Sequence, residues 1–128
     1  MDFLCFSNDA EREYAVNIAD LIAITTIENI TSVPGTFNYI KGIFIYHNEI
    51  IPIIDLQHFC YDEPCSNDNN LVVILQGNQE KYGLLINTVG KIVRGNVPED
   101  IRFLDSKDFE RTIKSGVSPN NSTNIELF

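Results

Sequence analysis

Apolar residues along the chain fall in short runs separated by polar breaks, and no segment sustains a 3.6-residue period long enough for a core helix. This pattern predicts a mostly β protein. Phe3–Phe6 and Tyr14–Ile18 flank Ser7–Arg12, a break of residues that bond their own backbone or stay solvated, and read as a first hairpin. Ile43–Tyr46 and Ile50–Ile54 flank His47-Asn48-Glu49, a break short enough to force antiparallel pairing. Runs as apolar as these suggest strands covered on both faces, and Pro52, which has no N–H to donate, requires an edge, a bulge or a position turned away from a partner. Leu71–Leu75 and Tyr82–Ile86 make a third hairpin across Gly77-Asn78-Gln79-Glu80. Between Asp20 and Ile24 a turn carrying Leu21 and Ile24 is expected before the β-branched run Ile24–Ile27 becomes a strand. Val33-Pro34-Gly35 is a loop signal. The polar stretch Gln57–Asn70 reads as an exposed connection, and Phe109 with Ile113 allows a short helix over Ser106–Lys114.

Length and charge narrow the function classes. The 128 residues fit one compact unit with a sizeable core. A formal charge of −9, from 18 acidic and 9 basic residues, disfavours nucleic acid and anionic lipid, whose affinity comes from Lys and Arg. No apolar run approaches the ~20 residues needed to cross a bilayer, and the N-terminus lacks a basic leader. Neither nucleic-acid binding nor membrane insertion is expected, and a cytoplasmic location is.

Candidate chemistry is sparse. Cys5, Cys60 and Cys65 cannot all pair and read as reduced thiols. His58, Cys60 and Cys65, with His47 elsewhere, fall short of the four-ligand set of structural zinc, so no metal is expected. Asn120-Asn121-Ser122 and Asn121-Ser122-Thr123 fit a glycosylation pattern without a secretory signal and read as a loop. No nucleophile elbow, phosphate loop or metalloprotease helix is present. The residues therefore predict a non-catalytic binding protein without a cofactor.

Tyr39–Leu56 carries the most specific signal. Ile40-Lys41-Gly42 and Ile51-Pro52-Ile53-Ile54-Asp55-Leu56 resemble, in ungapped register, the signature of the CheW-like domain family of bacterial chemotaxis. The resemblance extends from about residue 3 to 104: Phe3–Phe6, Glu13–Ile18 and Ile30–Val33 upstream, then Asn67–Asn69, Leu71–Leu75, Tyr82–Ile86, Val89–Val93 and Ile101-Arg102 downstream, in family order. It implies one domain over 1–128, built as two five-stranded SH3-like barrels side by side. The approximate halves are 1–60 and 71–128, joined by a polar connection at 61–70.

The resemblance also implies an adaptor that couples a chemoreceptor to a CheA-like histidine kinase. The receptor's helical tip would dock in an apolar groove to which Leu21, Ile24, Val89 and Ile92 correspond, although the same four residues also fit an ordinary core. The turn Tyr46-His47-Asn48 corresponds to the family's Asn-Leu-Arg-Gly signalling turn, with His47 replacing the Arg and Asn48 the Gly. A permanently charged fork thus becomes a titratable imidazole. Ala23 and Asn87 stand where acidic residues are common, and Gly116–Thr123 followed by Asn124–Phe128 replaces the usual closing strand and helix. The second barrel is therefore expected to be shortened or closed differently. These departures define an alternative: a diverged CheW-like interaction or regulatory module with another protein partner.

Overall fold

A computed structural model of the chain describes residues 1–8, 12–28, 30–32, 38–61 and 71–115. Nine strands and two α-helices are described: β1 (Asp2–Asn8), β2 (Arg12–Asn17), β3 (Leu21–Thr26), β4 (Ile40–Tyr46), β5 (Glu49–Asp55), α1 (Leu56–Tyr61), β6 (Leu71–Gln76), β7 (Lys81–Ile86), β8 (Thr88–Arg94), β9 (Arg102–Leu104) and α2 (Ser106–Ser115). They form a four-stranded sheet ordered β8-β1-β2-β9 and a five-stranded sheet ordered β3-β6-β7-β5-β4. The chain is mostly β, in two sheets, as its apolar runs predict.

Each sheet takes strands from both sides of the 61–70 connection, of which residues 62–70 lie outside the described residues. The N-terminal hairpin β1–β2 is flanked by β8 and β9, whereas β6–β7 is flanked by β3 and β5. The two arrangements repeat each other. In both, the hairpin's first strand takes an antiparallel neighbour and its second a parallel one: Ile53 faces Gly83 and Ile54 faces Leu84, as Phe103 faces Ala15 and Leu104 faces Val16. Asp55 and Asp105 then each accept a first-turn N–H of the following helix, from His58 at 3.3 Å and Lys107 at 3.0 Å. Four residues after each Asp stands a Phe, and Phe59 and Phe109 meet with ring centroids 4.5 Å apart. Asp55 and Asp105, Phe59 and Phe109, Tyr14 and Tyr82, Ile18 and Ile86, and Ile24 and Ile92 coincide across this repeat, too few to stand out in the sequence.

The continuous apolar runs follow from the packing. Val72 and Ile74 of β6 point into a core with Ile51, Ile53 and Phe44, whereas Val73 and Leu75 point into a core shared by both sheets with Leu4, Phe6, Tyr14, Val16 and Leu84. Phe3, Cys5 and Ala15 form a third core behind the four-stranded sheet. A central strand buried on both faces cannot alternate polar with apolar residues. Each large aliphatic so enclosed contributes about 1.5–3 kcal/mol.

The five-stranded sheet curls back on itself. After β3 the chain crosses to the opposite edge, where Thr31 and Ile43 exchange two backbone hydrogen bonds of 2.9 Å. Gly42 makes this approach possible, because a Cβ there would lie 2.4 Å from the Thr31 oxygen. Since Ile43 spends its backbone groups on Thr31, its cross-strand neighbour Pro52 loses nothing by lacking an N–H. The parallel ladder to β7 begins only at Ile53, so Pro52 sits in an inner strand with its nitrogen turned from β4 and ahead of the first pairing with β7.

Three local expectations are corrected. The turn before β3 is a 3-10 helix at Ile18–Asp20, capped by Asn17, whose side-chain oxygen accepts the Ala19 N–H at 2.9 Å; Leu21 and Ile24 lie in the strand after it. The start of the Gln57–Asn70 stretch is helix α1 rather than exposed connection, because buried Phe59 anchors it on Tyr39, with ring centroids 4.9 Å apart. Helix α2 extends one residue beyond the predicted Ser106–Lys114. The expectations for Val33-Pro34-Gly35, Cys65 and Gly116–Phe128 fall outside the described residues.

Helix α2 joins the two sheets. Ser106 donates to Asp20 at 2.9 Å, and Phe109 packs edge-on to Tyr82. The buried Glu110 carboxylate accepts three successive backbone N–H groups of the β6–β7 turn, from Asn78 (2.9 Å), Gln79 (3.2 Å) and Glu80 (3.0 Å), and the Tyr82 hydroxyl at 3.3 Å. Gly77 opens room for it, since a Cβ there would lie 2.7 Å from a Glu110 oxygen. Burial, then the Glu110 and Glu80 carboxylates, push the Tyr82 phenol well above its usual range.

Candidate functional site

The hairpin β4–β5 turns on two residues. His47 (φ 48°) and Asn48 (φ 67°) both adopt left-handed backbone, as a type I′ turn requires, and Tyr46 pairs with Glu49 to close it. The Tyr46 ring stacks on the His47 imidazole, with centroids 4.1 Å apart and planes 15° apart. Both His47 and Asn48 are exposed.

The same geometry places an apolar pair that the sequence reading did not single out. Ile45 and Ile50 face each other across the hairpin and are 72% and 67% exposed. Glu49 beside them makes an ion pair with Lys81 of β7. A two-residue turn at His47-Asn48 is enough to pair Ile45 with Ile50. Their exposure was not legible, because runs of Ile look alike whether or not a second sheet covers them. Nothing among the described residues covers this pair.

The second set lies on two edge strands. Leu21 and Ile24 are on β3, at one edge of the five-stranded sheet, and Val89 and Ile92 are on β8, at one edge of the four-stranded sheet. Leu21 and Val89 are half-buried and pack on the core shared by the two sheets, while Ile24 and Ile92 are 39% and 60% exposed. Each strand thus offers one aliphatic anchored in the shared core and one open to solvent. Ala23 is half-buried against the core of the five-stranded sheet, and the Asn87 N–H donates to Ser7 at 2.9 Å.

Among the described residues, the Cys5 thiol is buried. Burial, helped by Glu13, pushes the Cys5 thiol up, away from the reactive thiolate. Among the described residues no cluster of His, Cys, Asp and Glu could hold a metal ion, and no helix is long and apolar enough to cross a membrane. Asp55, fully buried, has the Lys41 ammonium 3.7 Å away and serves the start of α1.

Residues 2–115 match the family model of the CheW-like domain. The chain belongs to the CheW-like family. Its relatives include the chemotaxis protein CheW of Klebsiella aerogenes, 28% identical over 93 residues, a match covering 72% of this chain and 55% of that protein. CheW of Treponema pallidum is 31% identical over 88 residues, covering 65% and 52% respectively. Among solved structures, the scaffolding protein TtCheW from Thermoanaerobacter tengcongensis superposes with a TM-score of 0.64 at 25% identity, covering 79% of this chain and 65% of that one. The chain spans about half the length of these two CheW relatives. CheW-like membership agrees with the two-sheet architecture and with side-by-side SH3-like barrels.

Proposed function

We propose that this CheW-like chain is a non-catalytic adaptor of the chemotaxis signalling type. It couples the helical tip of a chemoreceptor to a CheA-like histidine kinase, in the cytoplasm, through protein–protein contacts alone. The observation that carries the reading is the family match over residues 2–115, borne by a fold whose exposed aliphatics gather on strand edges and one hairpin rather than in an enclosed pocket. Ile24 and Ile92, each backed by a half-buried neighbour, suit a helix that lays an i, i+3, i+4 row of apolar side chains across two strands. Tyr46, His47 and Asn48, with Ile45 and Ile50 beside them, form the separate surface assigned to the kinase.

Co-precipitation with the cognate kinase and receptor tests this reading. Recovery of both is expected. Ile92→Asp should weaken receptor capture at least tenfold with kinase capture retained, and Ile45→Asp the reverse, because a buried unpaired carboxylate is costly. Capture of neither partner by the unaltered chain would overturn the adaptor role. That result would favour the diverged-module alternative, which the substitutions at Ala23, His47, Asn48 and Asn87 motivate.

A further inference from the structure

A run of polar contacts leads from helix α2 to the exposed end of the β4–β5 hairpin. Glu110 accepts the amides of Asn78, Gln79 and Glu80, and the turn that carries them is closed by the Gly77 N–H, which donates to the Glu80 oxygen at 2.7 Å. Lys81 follows directly as the first residue of β7, and its ammonium pairs with Glu49. Glu49 faces Tyr46 across the hairpin and stands next to Ile50, which faces Ile45.

Backbone pairing does not extend to this end of the hairpin. The parallel ladder between β5 and β7 begins at Ile53 and Gly83. Ahead of it the strands part, and a cleft of about 470 Å³ opens, lined by Glu49, Ile50, Pro52, Gln79, Glu80 and Lys81. Two of these six, Gln79 and Glu80, give their amides to Glu110. One wall of the cleft is therefore held by α2, and the other is the strand that carries Ile50.

We propose that Glu110 is a positioning residue for the Ile45–Ile50 surface, acting through the β6–β7 turn and the Lys81–Glu49 ion pair. The carboxylate is buried and bonded to three amides, so it fixes the turn against α2. The turn sets where Lys81 begins β7, and the Lys81 side chain, only 25% exposed, carries that position across the cleft to Glu49. An ion pair with a half-exposed carboxylate is weak, so it governs local opening of the hairpin end rather than the fold as a whole. The relay itself stands apart from the adaptor reading, whereas its consequence, that α2 tunes kinase capture, rests on that reading.

Hydrogen exchange at the Glu49 and Ile51 amides, which the hairpin register turns towards β4, tests the relay without a partner. Glu110→Gln and Lys81→Met are each expected to speed exchange there roughly two- to fivefold, the range of an exposed ion pair, while Lys81→Arg leaves it unchanged. With Lys81→Met already in place, Glu110→Gln should add nothing. Lost overall stability alone would speed the β1–β2 amides and would act equally in both backgrounds. Exchange at Glu49 and Ile51 unmoved by either variant, or moved by Glu110→Gln as much with Lys81→Met as without it, overturns the proposal. Co-precipitation with the cognate kinase is the separate arm. Weaker capture by Glu110→Gln, with capture by Lys81→Arg retained, carries the relay to the partner, and equal capture by Glu110→Gln overturns that consequence. No capture by the unaltered chain overturns the adaptor reading instead, with the relay decided by exchange.

Discussion

Replacing Glu110 by Ala removes the carboxylate through which α2 grips the β6–β7 turn. Its carboxylate accepts three turn N–H groups at 2.9–3.2 Å and the Tyr82 hydroxyl. A hydrogen bond to a charged group is worth about 1.5–3 kcal/mol, so three intact bonds with none replaced would set a ceiling of roughly 5–9 kcal/mol. The donors belong to Asn78, Gln79 and Glu80, which are exposed, so water takes over part of the loss once the carboxylate is gone. The expected cost is about 3 kcal/mol. With an unfolding entropy of ~2.1 cal/mol/K per residue over 128 residues, this lowers Tm by roughly 10 °C. Glu110→Gln keeps one acceptor but points an amide NH2 at other donors, and should cost about 1–2 kcal/mol. Tyr82→Phe loses only the hydroxyl contacts to Glu110 (3.3 Å) and Glu80 (3.2 Å) and should cost less than about 1 kcal/mol. The assay is urea unfolding followed by circular dichroism, since the chain has no Trp. A Glu110→Ala change below ~0.5 kcal/mol, or a Gln variant as unstable as the Ala variant, would refute the reasoning that the turn amides hold the helix through charge.

Gly42→Ala should destabilise by at least about 2 kcal/mol, measured by the same unfolding, because its Cβ would press on the Thr31 backbone and separate the bridge to Ile43. Asn48→Gly is expected to stabilise by up to ~1 kcal/mol: its φ of 67° in a type I′ turn suits Gly best, and a lowered urea midpoint would contradict the turn assignment. Burial pushes the Tyr39 phenol up to about 12 and raises that of Tyr82. Both folded values lie above the unfolded value near 10, so their contribution is fully present below pH 10 and is lost as pH rises from 10 towards 12. Urea midpoints should fall over that window, and Tyr39→Phe should flatten the fall.

Much of the fold was legible because it depends on local rules. The three hairpins, the strand after Asp20 and the helix at Ser106 follow from apolar runs and turn residues, each read within a few positions. The Ile40–Leu56 signature identified the family because Gly42 and Pro52 stand where the barrel needs a missing Cβ and can spare an N–H. The turn at Tyr46-His47-Asn48 was legible too. What could not be read was anything set by residues far apart in the chain. That β8 and β9 flank the N-terminal hairpin depends on contacts across some 80 residues, which local periodicity does not encode. The same limit hid the exposure of Ile45 and Ile50: their sequence neighbours resemble those of buried Ile51 and Ile53, and only the placement of the second sheet separates them. Glu110 likewise looked like one carboxylate among 18 until the fold brought the 77–80 turn over it. Sequence determined which segments become strands and which family they compose, through local backbone and patterning preferences. The tertiary structure alone decided which aliphatic faces meet solvent and which carboxylate is buried, because burial belongs to pairs of distant segments.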